Sequence, residues 1–126
     1  MKLEKKNLDK KNIRYIDMNS INLEKNFSKN SFDLIWIDGE HLNPQVTIDI
    51  FQSIKLIKKN GFICVDDVVM KKYLKKNEYV SNDSYQTLEY LNKLKILKTS
   101  YIIKRVTKRN FDLKKFISLS YITTIA

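Results

Sequence analysis

The feature that most constrains the fold is a short apolar run, Phe32 to Ile37, which ends at Asp38. A run of this length with little polar alternation is typical of a strand covered on both faces, as in a parallel sheet. A second run of the same kind, Phe62 to Val65, ends at Asp66 and Asp67. The two runs predict two buried strands, each followed by acidic residues.

A helix is predicted between these strands. Asn43 is a candidate N-cap, Pro44 suits the first helical position, and Asn60-Gly61 is a suitable end. Apolar residues spaced by four, four and three lie on one helix face. They are Val46, Ile50, Ile54 and Ile57. Strand, helix and strand form a βαβ unit, whose crossover is right-handed in nearly all cases, so both strands should run parallel and end at the same edge.

Three carboxylates are predicted to converge at that edge: Asp38 after the first strand, and Asp66 and Asp67 after the second. Neighbouring strands lie about 4.8 Å apart, so three like charges would repel one another unless a cation lay among them. A Mg²⁺-type ion accepts such an oxygen shell, and open α/β sheets bind ligands at the carboxyl ends of their strands. The alternative is that these residues only cap the helices that follow.

The only histidine, His41, comes three residues after Asp38 and should overhang the same edge. A neutral imidazole there could take a proton from a substrate hydroxyl whose pKa a metal has lowered. The alternative is an inert loop histidine. The combination with the carboxylates at one edge favours the catalytic interpretation.

Length and cysteine content limit the class of protein. The 126 residues suit one domain, and the single cysteine, Cys64, cannot form an internal disulfide. No apolar run reaches the about 20 residues needed to cross a membrane. The segment from Met1 to Lys11 is charged and no signal-peptide core follows it. We therefore expect a cytoplasmic protein that does not bind membranes.

The formal net charge of +10 raises the possibility of a nucleic-acid-binding domain. Nearly all of this charge is lysine, whereas base and phosphate recognition favours the bidentate arginine fork. The arginines are Arg14, Arg105 and Arg109. A solvated lysine-rich surface is the favoured interpretation, and nucleic acid is an unlikely partner.

Further elements are predicted on both sides of the βαβ unit. Ile13 to Asp17 suits a short strand, and a helix is predicted to begin at a capping-box-like sequence, Asp83 to Gln86. Tyr101 to Val106 and Phe116 to Ile125 are rich in β-branched and aromatic residues. The last two segments predict an antiparallel hairpin joined through the polar stretch between them.

These residues resemble a known family. The stretch from Phe32 to His41, followed by the helix and by Asn60 to Val68, looks like the fourth to fifth strands of class I S-adenosylmethionine-dependent methyltransferases. It is most similar to the macrocin O-methyltransferase-like family, whose pattern is strand-Asp-Gly-acid-His, then a turn ending in glycine, then strand-Asp-Asp. The resemblance covers about 37 residues and implies an α/β fold, a partial Rossmann-like methyltransferase sheet with parallel core strands and an antiparallel carboxyl-terminal hairpin.

The resemblance also implies roles for individual residues. Asp38, Asp66 and Asp67 would hold Mg²⁺ or a similar divalent cation. His41 would be the catalytic base, and Asp38 would belong to both the catalytic and the cofactor-binding sets. Asp17 and Ser20 would contact the adenine side of S-adenosylmethionine. The segment Val69 to Asp83 would be a cap facing a small-molecule hydroxyl substrate.

The sequence departs from the family in its glycines. It has only Gly39 and Gly61, both within the matched pattern, so none is left for the turn that approaches the methionine end of the cofactor. Residues 1–126 would then form a single domain, the carboxyl-terminal part of a methyltransferase domain lacking the first two strands and the glycine-rich loop. A second hypothesis is a non-catalytic remnant or assembly module.

The missing strands would leave Phe32 to Ile37 with an uncovered edge. Three groups could cover it: the strand Ile13 to Asp17, a second copy of the chain, or a partner chain that supplies the cofactor loop. We expect the strand Ile13 to Asp17 to cover this edge, because the 14 residues from Met18 to Ser31 that connect it to Phe32 can each span up to about 3.3 Å and are a sufficient tether.

Overall fold

The structure, a computed structural model, describes residues 12–70, 81–106 and 114–123 of the chain. In chain order its elements are a 3₁₀ turn (Ser20–Asn22), α1 (Leu23–Asn26), β1 (Phe32–Ile37), α2 (Gln45–Leu56), β2 (Ile57–Val69), α3 (Asp83–Lys93), β3 (Leu97–Val106) and β4 (Lys114–Ile122). The four strands form one sheet in the order β1-β2-β4-β3.

The predicted βαβ unit is confirmed. β1 pairs parallel with β2, and Ile37 lies opposite Val65 in the register. β4 pairs antiparallel with both β2 and β3, so the carboxyl-terminal hairpin is confirmed as well. The result is an α/β fold with one mixed sheet, whose strands are parallel at one side (β1 and β2) and antiparallel at the other (β4 and β3).

The core lies where α2 and α3 pack on the sheet. Val46 and Ile50 of the predicted apolar face are fully buried, and Ile54 packs partly buried against the same core. Ile57, the fourth residue of that face, is also fully buried, but it belongs to β2. The other core residues are Ile37, Ile63, Val65, Val68, Leu88, Leu91, Leu97 and Phe116.

The predicted helix end at Asn60-Gly61 is wrong. α2 ends at Leu56 and the chain enters β2 directly at Ile57. A Cβ on Gly61 would lie 2.8 Å from the Asp33 carbonyl oxygen and 2.8 Å from the Ile57 side chain. Gly61 is therefore needed for the close approach of β2 to β1, and not for a helix cap.

The predicted strand Ile13 to Asp17 is also wrong, because the structure has no regular element there. Ile13 is 42% and Tyr15 is 63% exposed, so the segment lacks the packing that turns β propensity into a strand. Within the described ranges β1 pairs only with β2, and the expected covering of its edge by this segment does not occur. Leu34 is 57% and Trp36 is 51% exposed on β1.

Several predicted features lie partly or wholly outside the described residues. They are the charged start (1–11), most of the expected substrate-facing cap (71–80), most of the connection between β3 and β4 (107–113), and the last residues of the final strand (124–126). Within the described ranges, no helix is long and apolar enough to span a membrane.

Candidate functional site

Three carboxylates come to one end of the parallel pair, and we call Asp38, Asp66 and Asp67 the acidic edge. Asp38 directly follows β1, and the pairing of Ile37 with Val65 places it level with Asp66 across the two strands. The prediction that Asp38 and Asp66 lie on adjacent parallel strands is therefore confirmed, but the predicted end of the second strand at Asp66 and Asp67 is wrong, because β2 continues to Val69. Their environments differ, since the side chain of Asp38 is 58% exposed and that of Asp66 only 7%.

A β-bulge shapes the buried part of this edge. The register between β2 and β4 shifts between Val65 and Val68, so Asp66 and Asp67 form the bulge. Asp67 has a φ of 47°, in the left-handed region that aspartate tolerates better than most residues. Its backbone N–H donates to Asp66 Oδ1 at 2.7 Å. The bulge thus brings two successive carboxylates together, where a regular strand would point them to opposite faces.

Two lysines from the hairpin neutralise this pair of carboxylates. Lys104 of β3 donates to both oxygens of Asp66, at 2.6 and 2.7 Å, and to Asp67 Oδ1 at 3.3 Å. Lys115 of β4 donates to Asp67 Oδ2 at 2.9 Å. Every carboxylate oxygen of the pair therefore accepts a hydrogen bond from an ammonium group. We call these four side chains the lysine–aspartate cluster.

The cluster shifts two pKa values. Burial opposes ionisation of Asp67, but hydrogen bonds and charge from Lys115 and Lys104 outweigh it and hold the pKa of this carboxyl below its ordinary value. The hydrogen bond to Asp66, helped by that to Asp67, raises the pKa of the Lys104 ammonium. Both shifts favour the charged forms of Asp67 and Lys104.

The fit of a divalent cation can be judged from these contacts. Mg²⁺ binds oxygen ligands at about 2.1 Å in near-octahedral geometry, and lysine ammonium groups stand where it would have to lie. In the part of the chain that the structure describes, no group of three or more His, Cys, Asp or Glu side chains could hold a metal ion. As placed, Asp38, Asp66 and Asp67 do not fit the cation that the sequence resemblance implies.

His41 lies at the open part of the edge. Its Nε2 is 3.8 Å from Asp38 Oδ1, beyond a direct hydrogen bond but within ion-pair distance if the ring is protonated. Its Nδ1 is buried and has no hydrogen-bond partner among the described residues. The next residues are fixed in place, since Leu42 N–H donates to Glu40 Oε1 at 3.1 Å and Asn43 N–H to Asp83 Oδ2 at 2.9 Å. The loop thus holds His41 beside Asp38.

The two residues predicted to touch the adenine side of a cofactor precede α1. Asp17 is exposed, and Ser20 is half-buried. The Ser20 hydroxyl accepts a hydrogen bond from Gln45 Nε2 at 2.7 Å, and the same amide donates to the buried Asp49 at 2.8 Å. This bridge ties the segment before β1 to the first turn of α2. Ser20 is therefore held on the side of the sheet where α2 begins.

Sequence reasoning missed Lys104 and Lys115. They lie 38 and 48 residues from their partners along the chain, and nothing in their local sequence sets them apart from the other lysines. The available signal was indirect: buried carboxylates need either a cation or cationic side chains. A metal ion and a pair of lysines would both meet that requirement, so the sequence alone does not distinguish them.

The fold is similar to solved structures that include proteins described as O-methyltransferases. A putative O-methyltransferase from Klebsiella pneumoniae matches with a TM-score of 0.57 and 16% identity over 81% of this chain. A cofactor-bound protein from MTB matches with a TM-score of 0.59 and 20% identity over 82% of it. An O-methyltransferase from Bacillus cereus in complex with SAH gives a TM-score of 0.53 and 15% identity over 82% of it.

This chain spans about half the length of those structures, covering 45%, 45% and 46% of them in the same order. At such identities the likeness concerns the fold. A search of the curated proteins found no match. The sequence model of one family, described as "Methyltransferase domain", matches residues 3–68. Because that match takes in more than half of the 126 residues, the chain belongs to this methyltransferase domain family.

Proposed function

We propose that this chain is the carboxyl-terminal part of an S-adenosylmethionine-dependent methyltransferase that methylates a hydroxyl of a small molecule in the cytoplasm. The single observation that carries the proposal is the open part of the acidic edge: Asp38 and His41 stand together at the end of β1, in a chain of the methyltransferase domain family. That the structural neighbours include O-methyltransferases supports the choice of a hydroxyl acceptor.

The cofactor, when bound, supplies an electrophilic methyl group on a sulfonium. His41 takes the proton of the acceptor hydroxyl as the oxygen forms its bond to the methyl group. The imidazolium that results lies beside the Asp38 carboxylate, 3.8 Å away, which offsets its charge. The cofactor would give up its methyl group and keep the bonding electron pair on sulfur, so the hydroxyl proton on His41 is the only charge that this chain has to accept.

On the adenine side of the cofactor, the proposed contacts are Asp17, Ser20 and Asp38. The exposed carboxylates of Asp17 and Asp38 can accept hydrogen bonds from its hydroxyl or amine groups. The Ser20 hydroxyl accepts from Gln45 and can still donate its own hydrogen. The methionine side needs backbone N–H donors from a glycine-rich turn, for which this sequence has no glycine to spare.

A partner is therefore part of the proposal. We propose that a partner, either a different polypeptide or a second copy of this chain, covers the free edge of β1. A different polypeptide would also supply the missing glycine-rich turn that contacts the cofactor. The exposed side chains Leu34 and Trp36 and the single pairing of β1 within the described ranges support this. No step above depends on a cation, because the acidic edge as placed does not fit one.

The test is methyl transfer by the assembled enzyme, purified from its native host through a tag on this chain. Labelled S-adenosylmethionine and a hydroxyl-containing metabolite fraction should give a labelled small molecule. His41→Ala should lower turnover by roughly 100-fold or more while leaving the melting temperature nearly unchanged. Lys58→Met, in an exposed pair with Asp33, is the matched control and should keep full turnover.

Two results would contradict the proposal. Unchanged turnover of the His41→Ala assembly would return His41 to an inert loop residue. An intact assembly that transfers no methyl group would favour the second candidate, a non-catalytic remnant or assembly module, which the shortage of glycines supports.

A further inference from the structure

The lysine–aspartate cluster carries the same charge balance as a metal site. Asp66 and Asp67 bring two negative charges, and Lys104 and Lys115 bring two positive ones. A single divalent cation would supply the same compensation. The cluster is built from three different strands, so it is a feature of the folded sheet and not of one loop.

The position of Lys104 follows from a second bulge. The register between β3 and β4 shifts between Ile103 and Arg105, and Lys104 is the extra residue. This bulge lies across β4 from the one formed by Asp66 and Asp67, because Val68 and Ile103 both pair with Phe116. The two irregularities therefore face each other over one strand. A lysine placed in this way can reach across β4 to the carboxylates.

We infer that Lys104 and Lys115 take the place of a divalent cation at Asp66 and Asp67, so that this chain binds no metal there. Three observations carry the inference together: the four ammonium contacts of 2.6 to 3.3 Å, the burial of Asp66 at 7% side-chain exposure, and the paired bulges. A cation approaching the carboxylates would have to displace both ammonium groups and would be repelled by them.

The inference does not depend on methyl transfer, because it concerns the ionic partners of two carboxylates. It also limits which residues of the acidic edge can bind a ligand. The buried Asp66 and the half-buried Asp67 already accept hydrogen bonds from lysines, so among the acidic edge and His41 it is Asp38 and His41 that remain open to a ligand. The positive groups nearest the reaction edge would then be protein side chains.

The test is a titration of the ¹⁵N-labelled full chain with Mn²⁺, which broadens amide signals near any site that it occupies. In the wild type, the signals of Val65 to Val69 should show no selective broadening at millimolar Mn²⁺. The double variant Lys104→Met with Lys115→Met should show it, with an apparent affinity roughly 100-fold higher. The spectrum itself reports whether each variant is folded. Lys115→Met alone, which leaves Asp66 paired, should show an intermediate effect and serves if the double variant unfolds.

Lys58→Met is the matched control, since it removes a lysine from an isolated exposed carboxylate, and it should behave as the wild type. Selective broadening of Val65 to Val69 in the wild type, lost in Asp66→Asn with Asp67→Asn, would overturn the inference. A folded lysine variant without such broadening would overturn it too, because the lysines would then not be what excludes the cation. Broadening confined to other carboxylates in the wild type would support it.

Discussion

Asp66 and Asp38 lie level with each other on neighbouring strands, yet their surroundings are opposite. Asp66 is buried, and an ammonium group contacts both of its oxygens. Asp38 is mostly exposed, and Nε2 of the His41 ring lies 3.8 Å from its Oδ1. Position on a sheet edge therefore does not decide what a carboxylate does. The hairpin that covers one strand, and leaves the other uncovered, makes the difference.

The largest loss of stability that would test this comparison is expected when Lys104 is replaced. Lys104→Met should lower the free energy of unfolding more than any other single substitution in this comparison, because the buried Asp66 carboxylate is left without its cation. Lys58→Met should cost less than about 1 kcal/mol, since Lys58 and Asp33 form an exposed pair. Urea denaturation at pH 7 measures both. Equal losses in the two variants would show that burial does not distinguish the carboxylates.

A smaller effect is expected in the dependence of stability on pH. The pKa of Asp67 is lowered in the folded state, so its contribution is present above the unfolded value of about 3.9. That contribution is lost as the pH falls through the folded pKa. Asp67→Asn should therefore flatten the fall in unfolding free energy below about pH 4. Asparagine tolerates the left-handed backbone at this position, so the variant changes mainly charge.

Urea denaturation from pH 2.5 to pH 7 would measure this change, because that range spans the pKa of about 3.9 of an unperturbed aspartate. Asp33→Asn is the control, because that carboxylate is 84% exposed, and its acid limb should follow the wild type. An Asp67→Asn curve parallel to the wild type at all pH values would show that the lysines do not hold this carboxylate in its charged form.

The smallest effect is expected at the open part of the edge. Asp38→Asn should change the free energy of unfolding by less than about 0.5 kcal/mol, because the side chain is 58% exposed and its contact with His41 is long, at 3.8 Å. Thermal denaturation of the two proteins side by side is sufficient. A loss as large as that of Lys104→Met would mean that Asp38 supports the fold, and the contrast between the two carboxylates would disappear.

The sequence was sufficient for the parallel unit, because its signals are local or periodic. The uninterrupted apolar runs and the helical spacing of Val46, Ile50 and Ile54 each report burial directly. The position of Asp38 and Asp66 at one edge followed from the handedness of the crossover. The carboxyl-terminal hairpin was predicted from the β-branched and aromatic residues of its two strands, and these strands do pair antiparallel.

What the sequence did not supply depends on contacts between distant segments. Gly61 matched a helix-ending signal, but its role is set by the approach of Asp33 from another strand. Ile13 to Asp17 has strand-forming residues without a strand to pair with in the described structure. The cations of the acidic edge come from two bulge-adjacent lysines that no local pattern marks.

The exposed edge strand has one more consequence. Trp36 is the only tryptophan of the chain, and it lies half-exposed on β1. Its tryptophan fluorescence therefore reports on β1, which within the described ranges pairs only with β2. Any molecule that covers this strand would move the indole out of water and shift its emission to the blue. The chain thus carries an intrinsic optical signal at the place where a partner would dock, readable without labels.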